Sequence, residues 1–153
     1  MGVSIMTAKE FMESYGKALE EKRRIEEDII RIEAEIGMPG INYDGMPRGN
    51  NISKPTEQSA LRFSSQIKRL RKSKDEAVKT MLEVEETVAK LNNAMERKVL
   101  RARYIDLQEN GASKNWLRIA KELKYSEDGI YRLHRVALKH LEVILKTVQN
   151  NKD

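Results

Sequence analysis

From Phe11 onward the apolar positions fall at Phe11, Tyr15, Ala18, Ile25, Ile29, Ile32 and Ile36, with Lys22 in the polar seat of the row. Steps that alternate four and three put all of them on one narrow stripe of a helix, and Glu, Lys and Arg fill most of the remaining positions. Gly37, with Pro39 just beyond, predicts where that helix stops. A second seam runs Ala60, Phe63, Ile67, Leu70, Ala77, Met81, Val84, Val88 and Leu91, with Lys74 in its polar seat and Thr56 or Ser59 placed to cap its start.

Laid antiparallel, the two seams fit each other layer by layer. Ile36 meets Ala60, Ile29 meets Ile67, Tyr15 meets Met81, and the two polar seats Lys22 and Lys74 fall in the same layer. This agreement predicts a folded-back helical hairpin over residues 7–92, about 40 Å long at ~1.5 Å per residue. Two lysines in one layer repel if dry, so Glu21, Glu26 and Asp75 are expected to neutralise a wet layer that fixes register. A two-helix hairpin buries only one stripe of each partner. It is therefore expected to pair with another copy or to dock on the C-terminal helices. The connection at 37–55, GMPGINYDGMPRGNNISKP, reads first as a linker, although Arg48 and Lys54 can reach a phosphate or an acidic partner.

Beyond the hairpin, Asn93 with Glu96 has the spacing of a capping box, and a basic helix follows through Arg103 and Tyr104. Asn115 can cap a short helix whose inner stripe is Ile119, Ala120 and Leu123. Lys124-Tyr125-Ser126 breaks the periodicity, and Ser126 can cap a second helix with Ile130, Leu133, Ala137 and Leu141 on its inner side. The small Ala120 lets the two backbones approach. The outer side of the second helix carries Asp128, Tyr131, Arg132, Arg135 and Lys139. Two short crossed helices with an apolar inside and a basic outside predict a helix-turn-helix over 93–148, a unit that seats its second helix in the major groove. Tyr104, Trp116 and Tyr125 are assigned to the small core, and His134 to packing or a phosphate.

On these residues, together with Glu96 to Tyr104, the chain resembles region 4 of the sigma-70 family, the promoter-reading tail of bacterial sigma factors. The likeness covers roughly residues 94 to 145 and departs from the pattern at two places. Lys124 stands where a glycine is usual, so the turn must hold a side chain, with φ > 0 at some cost. The connection from Leu107 to Asn115 is also longer than usual. The layout as a whole resembles a family of short uncharacterised proteins of phages and prophages of Gram-positive bacteria. That likeness is carried by Met6 to Phe11, the Gly-rich linker, Tyr125-Ser126 and Tyr131 to His134. It implies a phage-type transcription regulator in the cytoplasm of a bacterial host.

Composition narrows the alternatives. With 39% hydrophobic and 35% charged residues, three prolines and no cysteine, the chain suits elongated helices, has no disulfide, and fits a reducing compartment. No apolar run approaches a membrane span, and the start lacks the pattern of a secretory signal. Residues 97–146 hold 12 Lys/Arg against 6 Asp/Glu, so the whole basic excess of the chain surrounds the helix-turn-helix.

No phosphate cradle, metal-ligand set or activated nucleophile is evident, so neither catalysis nor a cofactor is expected. The expected fold is all-α, a long antiparallel helical hairpin followed by a sigma region-4-like helix-turn-helix. The expected partner is double-stranded DNA, bound by a homo-oligomer, with a dimer favoured and a contact to RNA polymerase. Arg132 and Arg135 are the residues expected to read guanine, and Ser126 and Lys139 suit phosphates. Glu127 and Asp128 either accept from cytosine or favour the helix N-terminus. Tyr131 meets a thymine methyl or a phosphate. Arg101, Arg103, Lys114, Arg118 and Lys121 are weaker phosphate contacts. Two other readings compete: the DNA-recognition subunit of a packaging machine, resembling a small terminase, and a protein-only adaptor for RNA polymerase.

Overall fold

The computed structural model describes residues 6–36 and 57–151, and every regular element among them is helical. The elements are α1 (Ala8–Ile36), α2 (Glu57–Ala89), α3 (Ala94–Leu100), a π-helical turn (Arg101–Ile105), α4 (Trp116–Leu123) and α5 (Glu127–Asn151). The connection at 37–55, with Arg48 and Lys54, and the proposed cap Thr56 lie outside the described residues. Ser59 lies inside α2 and is not its cap.

Local chemistry accounts for most of the helix ends. Thr7 Oγ1 accepts from the Glu10 amide (3.1 Å), so Thr7 caps α1 and Glu10 stands in its first turn. Asn93 Oδ1 accepts from the amides of Met95 (2.8 Å) and Glu96 (3.2 Å), and Asn115 Oδ1 accepts from Arg118 (2.8 Å). Ser126 Oγ accepts from Gly129 (3.0 Å) at the start of α5. The capping box expected at Asn93 is only half formed, because the Glu96 carboxylate turns inward to His140 Nδ1 on α5. Glu96 is only 4% exposed, so this hydrogen bond fixes the start of α3 to the middle of α5.

By packing, the chain falls into two compact units, Met1–Glu20 with Val78–Asp153, and Glu21–Ala77. In the first, Met12, Val84 and Val88 join Val99, Leu100, Ile119, Ile130, Ala137 and Leu141 in one core. The C-terminal helices therefore share their apolar side with the ends of α1 and α2 and do not close on themselves at residue 93. Ile119, Ile130 and Leu141 are completely buried, worth about 2 kcal/mol each in apolar area removed from water.

The second unit buries Ile25 and Ala77. Here Glu26 Oε1 receives both Lys22 (3.4 Å) and Lys74 (3.2 Å), and Arg71 pairs with Glu33 (3.7 Å). One carboxylate thus neutralises both lysines. The Lys74 hydrogen bond, followed by the pull of Lys22, holds the Glu26 carboxyl below its ordinary range.

Between α4 and α5 the chain makes a Schellman turn. The Tyr125 amide bonds to the Ala120 carbonyl (2.8 Å) and the Lys124 amide to Lys121 (3.3 Å). Lys124 occupies the left-handed seat at φ 61°, ψ 43°, and is the only described non-glycine residue with positive φ. Tyr125 is a correction to the core assignment, being 37% exposed. Its ring lies against Gly129, where a Cβ would come within 3.4 Å of Tyr125 Cδ1 and 2.9 Å of Ser126 Oγ. A left-handed seat suits glycine better than lysine by about 1 kcal/mol. Lys124→Gly should therefore raise stability by roughly that amount in urea unfolding with an unchanged m-value.

Candidate functional site

The π-turn determines which side chains face which. The Asp106 amide reaches back five residues to the Arg101 carbonyl (2.7 Å), and the extra residue in this turn re-aims the side chains around it. Arg103 lies with its guanidinium 4.6 Å from the Trp116 ring centroid and donates through Nη1 to the Lys114 carbonyl. That bond tethers the far end of the connection that precedes α4. The connection is also self-bonded, through Gln108 N–H to Ala112 O (3.0 Å) and Gln108 Nε2 to Ser113 O (3.0 Å), with Gly111 at φ 85°.

Tyr104 is buried and stacks on His134, with ring centroids 5.7 Å apart. Its hydroxyl lies 2.7 Å from His134 Nε2. Burial, with Arg103 and Lys9 nearby, pushes the His134 imidazole down to about 4, and burial pushes the Tyr104 phenol up to about 12. At neutral pH both groups are uncharged, and the phenol, the better acid, donates to Nε2. His134 then keeps its hydrogen on Nδ1. Of the two roles open to His134, packing fits this geometry. Trp116 completes the group, 4.5 Å from His134 and 5.4 Å from Tyr131 in tilted contacts, and packs against the core as expected.

On the outer side of α5, Arg132, Arg135 and Lys139 are all exposed. Among the described residues none of the three meets a carboxylate within ion-pair distance. The weaker candidates differ in this respect. Arg118 and Lys114 both pair with Glu122 (3.2 and 3.3 Å), and Arg101 lies 3.9 Å from both Glu85 and Asp106. Lys121 is exposed and free of such a pair among the described residues. Asp128, Tyr131, Arg132 and Arg135 line one shallow cleft of about 440 Å³ together with His134. Ser126, Glu127 and Lys139 lie outside it. Ser126 caps the helix, and Glu127 and Asp128 stand in the first turn, where a negative charge favours the helix dipole. Tyr131 is 37% exposed, one side of its ring turned to Trp116 and the remainder open.

The arrangement can do one kind of chemistry well. It presents unneutralised, hydrogen-bonding cations at helical spacing on a rigid, sealed support, which suits a polyanion. Among the described residues no group of His, Asp and Glu is placed to hold a metal ion, and no helix is long and apolar enough to cross a membrane. Sequence reading missed the tie between Arg103, Trp116 and His134. Its partners are 13 to 31 positions apart and meet only after the π-turn, which leaves no periodic signature.

The histidine imposes a pH dependence. Its imidazole takes up a proton near 6.5 when unfolded but only near 4 when folded. Between those values the unfolded chain binds more protons, so stability is complete above about 6.5 and falls as the solution is acidified toward 4. With His134 partly exposed, the loss should be on the order of 2 kcal/mol. Urea unfolding at pH 7.5 and pH 5 should show it, and His134→Gln, which still accepts from Tyr104, should show a smaller difference.

No curated protein and no solved structure matches the chain. Residues 57–142 match the family described as protein of unknown function DUF1492. That stretch runs from the start of α2 to beyond the middle of α5, more than half of the sequence, and the chain belongs to this family.

Proposed function

We propose that this protein is a sequence-specific, duplex-DNA-binding transcription regulator of phage or prophage type, and that it is not an enzyme. In this reading α4 and α5 form a sigma region-4-like helix-turn-helix, α5 enters the major groove, and RNA polymerase is the protein partner. The observation that carries it is the asymmetry of α5. Ile130, Ala137 and Leu141 are completely buried on one side, while Arg132, Arg135 and Lys139 stand exposed and unpaired on the other. A cation without a carboxylate neighbour keeps its full attraction for phosphate, and an arginine kept free can grip guanine O6 and N7 with two hydrogen bonds. Arg118, Lys114 and Arg101 would first have to leave their own carboxylates, which ranks them below the three on α5.

The antiparallel pairing of α1 with α2 belongs to the same reading. It is supported by the pairs Glu26–Lys74 and Glu33–Arg71, in which the position on α1 rises as that on α2 falls. Self-association as a dimer is supported by Ile30 and Leu61, which are 66% and 67% exposed on helices otherwise rich in charge. A two-fold dimer would present two copies of α5 to two half-sites.

Gel shifts on fragments selected from host and phage DNA test the reading. Binding should fall steeply with salt. Arg132→Ala should erase preference among sequences, at about 1–3 kcal/mol for the favoured site, whereas Lys139→Ala should weaken all sequences alike and lower the salt slope by about one. Retention of wild-type affinity and preference by both variants would remove α5 as the reading face. Light scattering should give a dimer at tens of micromolar, while a ring of eight or more would favour a packaging role.

A further inference from the structure

A second cleft, of about 430 Å³, opens beside the aromatic group and shares only Tyr131 and His134 with the cleft that holds Arg132 and Arg135. Its walls include Lys9 and Glu13 from α1, Arg103 from the π-turn, Trp116 from α4, and Tyr131 and His134 from α5. Three features define its chemistry. The first is unspent aromatic surface, since Trp116 is only partly buried and Tyr131 is 37% exposed. The second is a cation with donors to spare. Arg103 is half-buried, uses Nη1 on the Lys114 carbonyl, and among the described residues has no carboxylate partner. The third is the sign of the local field. Lys9 lies 4.0 Å from Glu13, which leaves Arg103 as the uncompensated charge, and both cations act on His134 to keep it neutral. A cationic ligand is disfavoured, because Arg103 itself already occupies the position over the Trp116 ring that such a ligand would seek.

We propose that this cleft is a binding site for a small planar aromatic anion, whose ring lies against Tyr131 and the part of Trp116 that Arg103 leaves open, and whose carboxylate or phosphate is received by Arg103 and Lys9. The volume suits a single mononucleotide or a substituted benzoate, and the mixture of apolar walls with a few convergent polar groups is that of small-molecule sites generally. Arginine is the natural receiver, as its planar fork matches both carboxylate and phosphate. The site stands on geometry alone and does not require the DNA-binding reading.

Trp116 is the only tryptophan of the chain, so its fluorescence reports on this cleft directly. The full-length protein, without DNA, is titrated with adenosine monophosphate and with salicylate, and in separate arms with adenosine and with inorganic phosphate. A saturable change with at least one of the two charged aromatic probes is expected, at concentrations at least tenfold below those needed for adenosine or phosphate. Response to adenosine monophosphate alone assigns the phosphate, and response to salicylate alone the carboxylate. Glu13→Gln removes the one opposing charge at a position that is exposed and free to change, and should tighten binding about three- to tenfold. Arg103→Gln should weaken it at least tenfold. No saturable change with either charged probe, adenosine binding as well as its monophosphate, or weaker binding in Glu13→Gln would each overturn the assignment.

Discussion

Ile130, Ala137 and Leu141 admit no solvent, and they do so by packing against α3, α4 and the ends of α1 and α2 in a single core. Because successive members of this stripe are seven and four residues apart, they fix the rotation of α5 about its own axis as well as its position. Everything on the other sides of the helix follows from that rotation. Arg132, Arg135 and Lys139 point outward because Ile130, Ala137 and Leu141 point inward. Tyr131 and His134 fall between the two, where they meet Trp116 and Tyr104. The Glu96–His140 bond adds a polar tie to the same alignment, anchoring α5 to the start of α3 through a buried carboxylate and a histidine that stays exposed.

Charge is distributed with a similar economy. On α4 and the preceding loop the cations are mostly spent on nearby carboxylates, notably Glu122, which receives both Lys114 and Arg118. On α5 they are not. Such surface pairs are worth little to stability, yet they decide which cations remain available to an incoming anion. Tyr131 and His134 also border both clefts of this region, so one aromatic wall separates the basic outer side of α5 from the pocket that Arg103 overlooks. In the second unit Glu26 is the converse case, one carboxylate satisfying two lysines that would otherwise repel.

Much of this was legible in the chain because the signals were local. Apolar spacing gave α1, α2, α4 and α5 to within a few residues, and short polar side chains marked the caps at Asn93, Asn115 and Ser126. The left-handed seat of Lys124 followed instead from the resemblance, which implies a glycine at that place in the turn. The Thr7 cap carried the spacing of a capping box with Glu10 and could have been read as the other caps were. The π-turn was not legible, since a single widened ring at Arg101–Ile105 alters no periodic pattern. Its products were hidden with it: Arg103 over Trp116, and Tyr104 against His134 thirty positions away. Tyr125 was misassigned because its exposure depends on the open side of Gly129, a neighbour four residues on in the next helix. Glu96 failed to close its capping box because a distant histidine offered a better partner.

A helix that carries three different surfaces tolerates changes of letter far better than changes of length. Adding one residue to α5 after Ile130 would turn all that follows by about 100°. Leu141 would swing out of the core, His140 would lose Glu96, and Arg132, Arg135 and Lys139 would turn together out of their place opposite Ile130. Relatives that share the fold should therefore keep the distance from Ile130 to Leu141 constant even where the outward-facing letters differ.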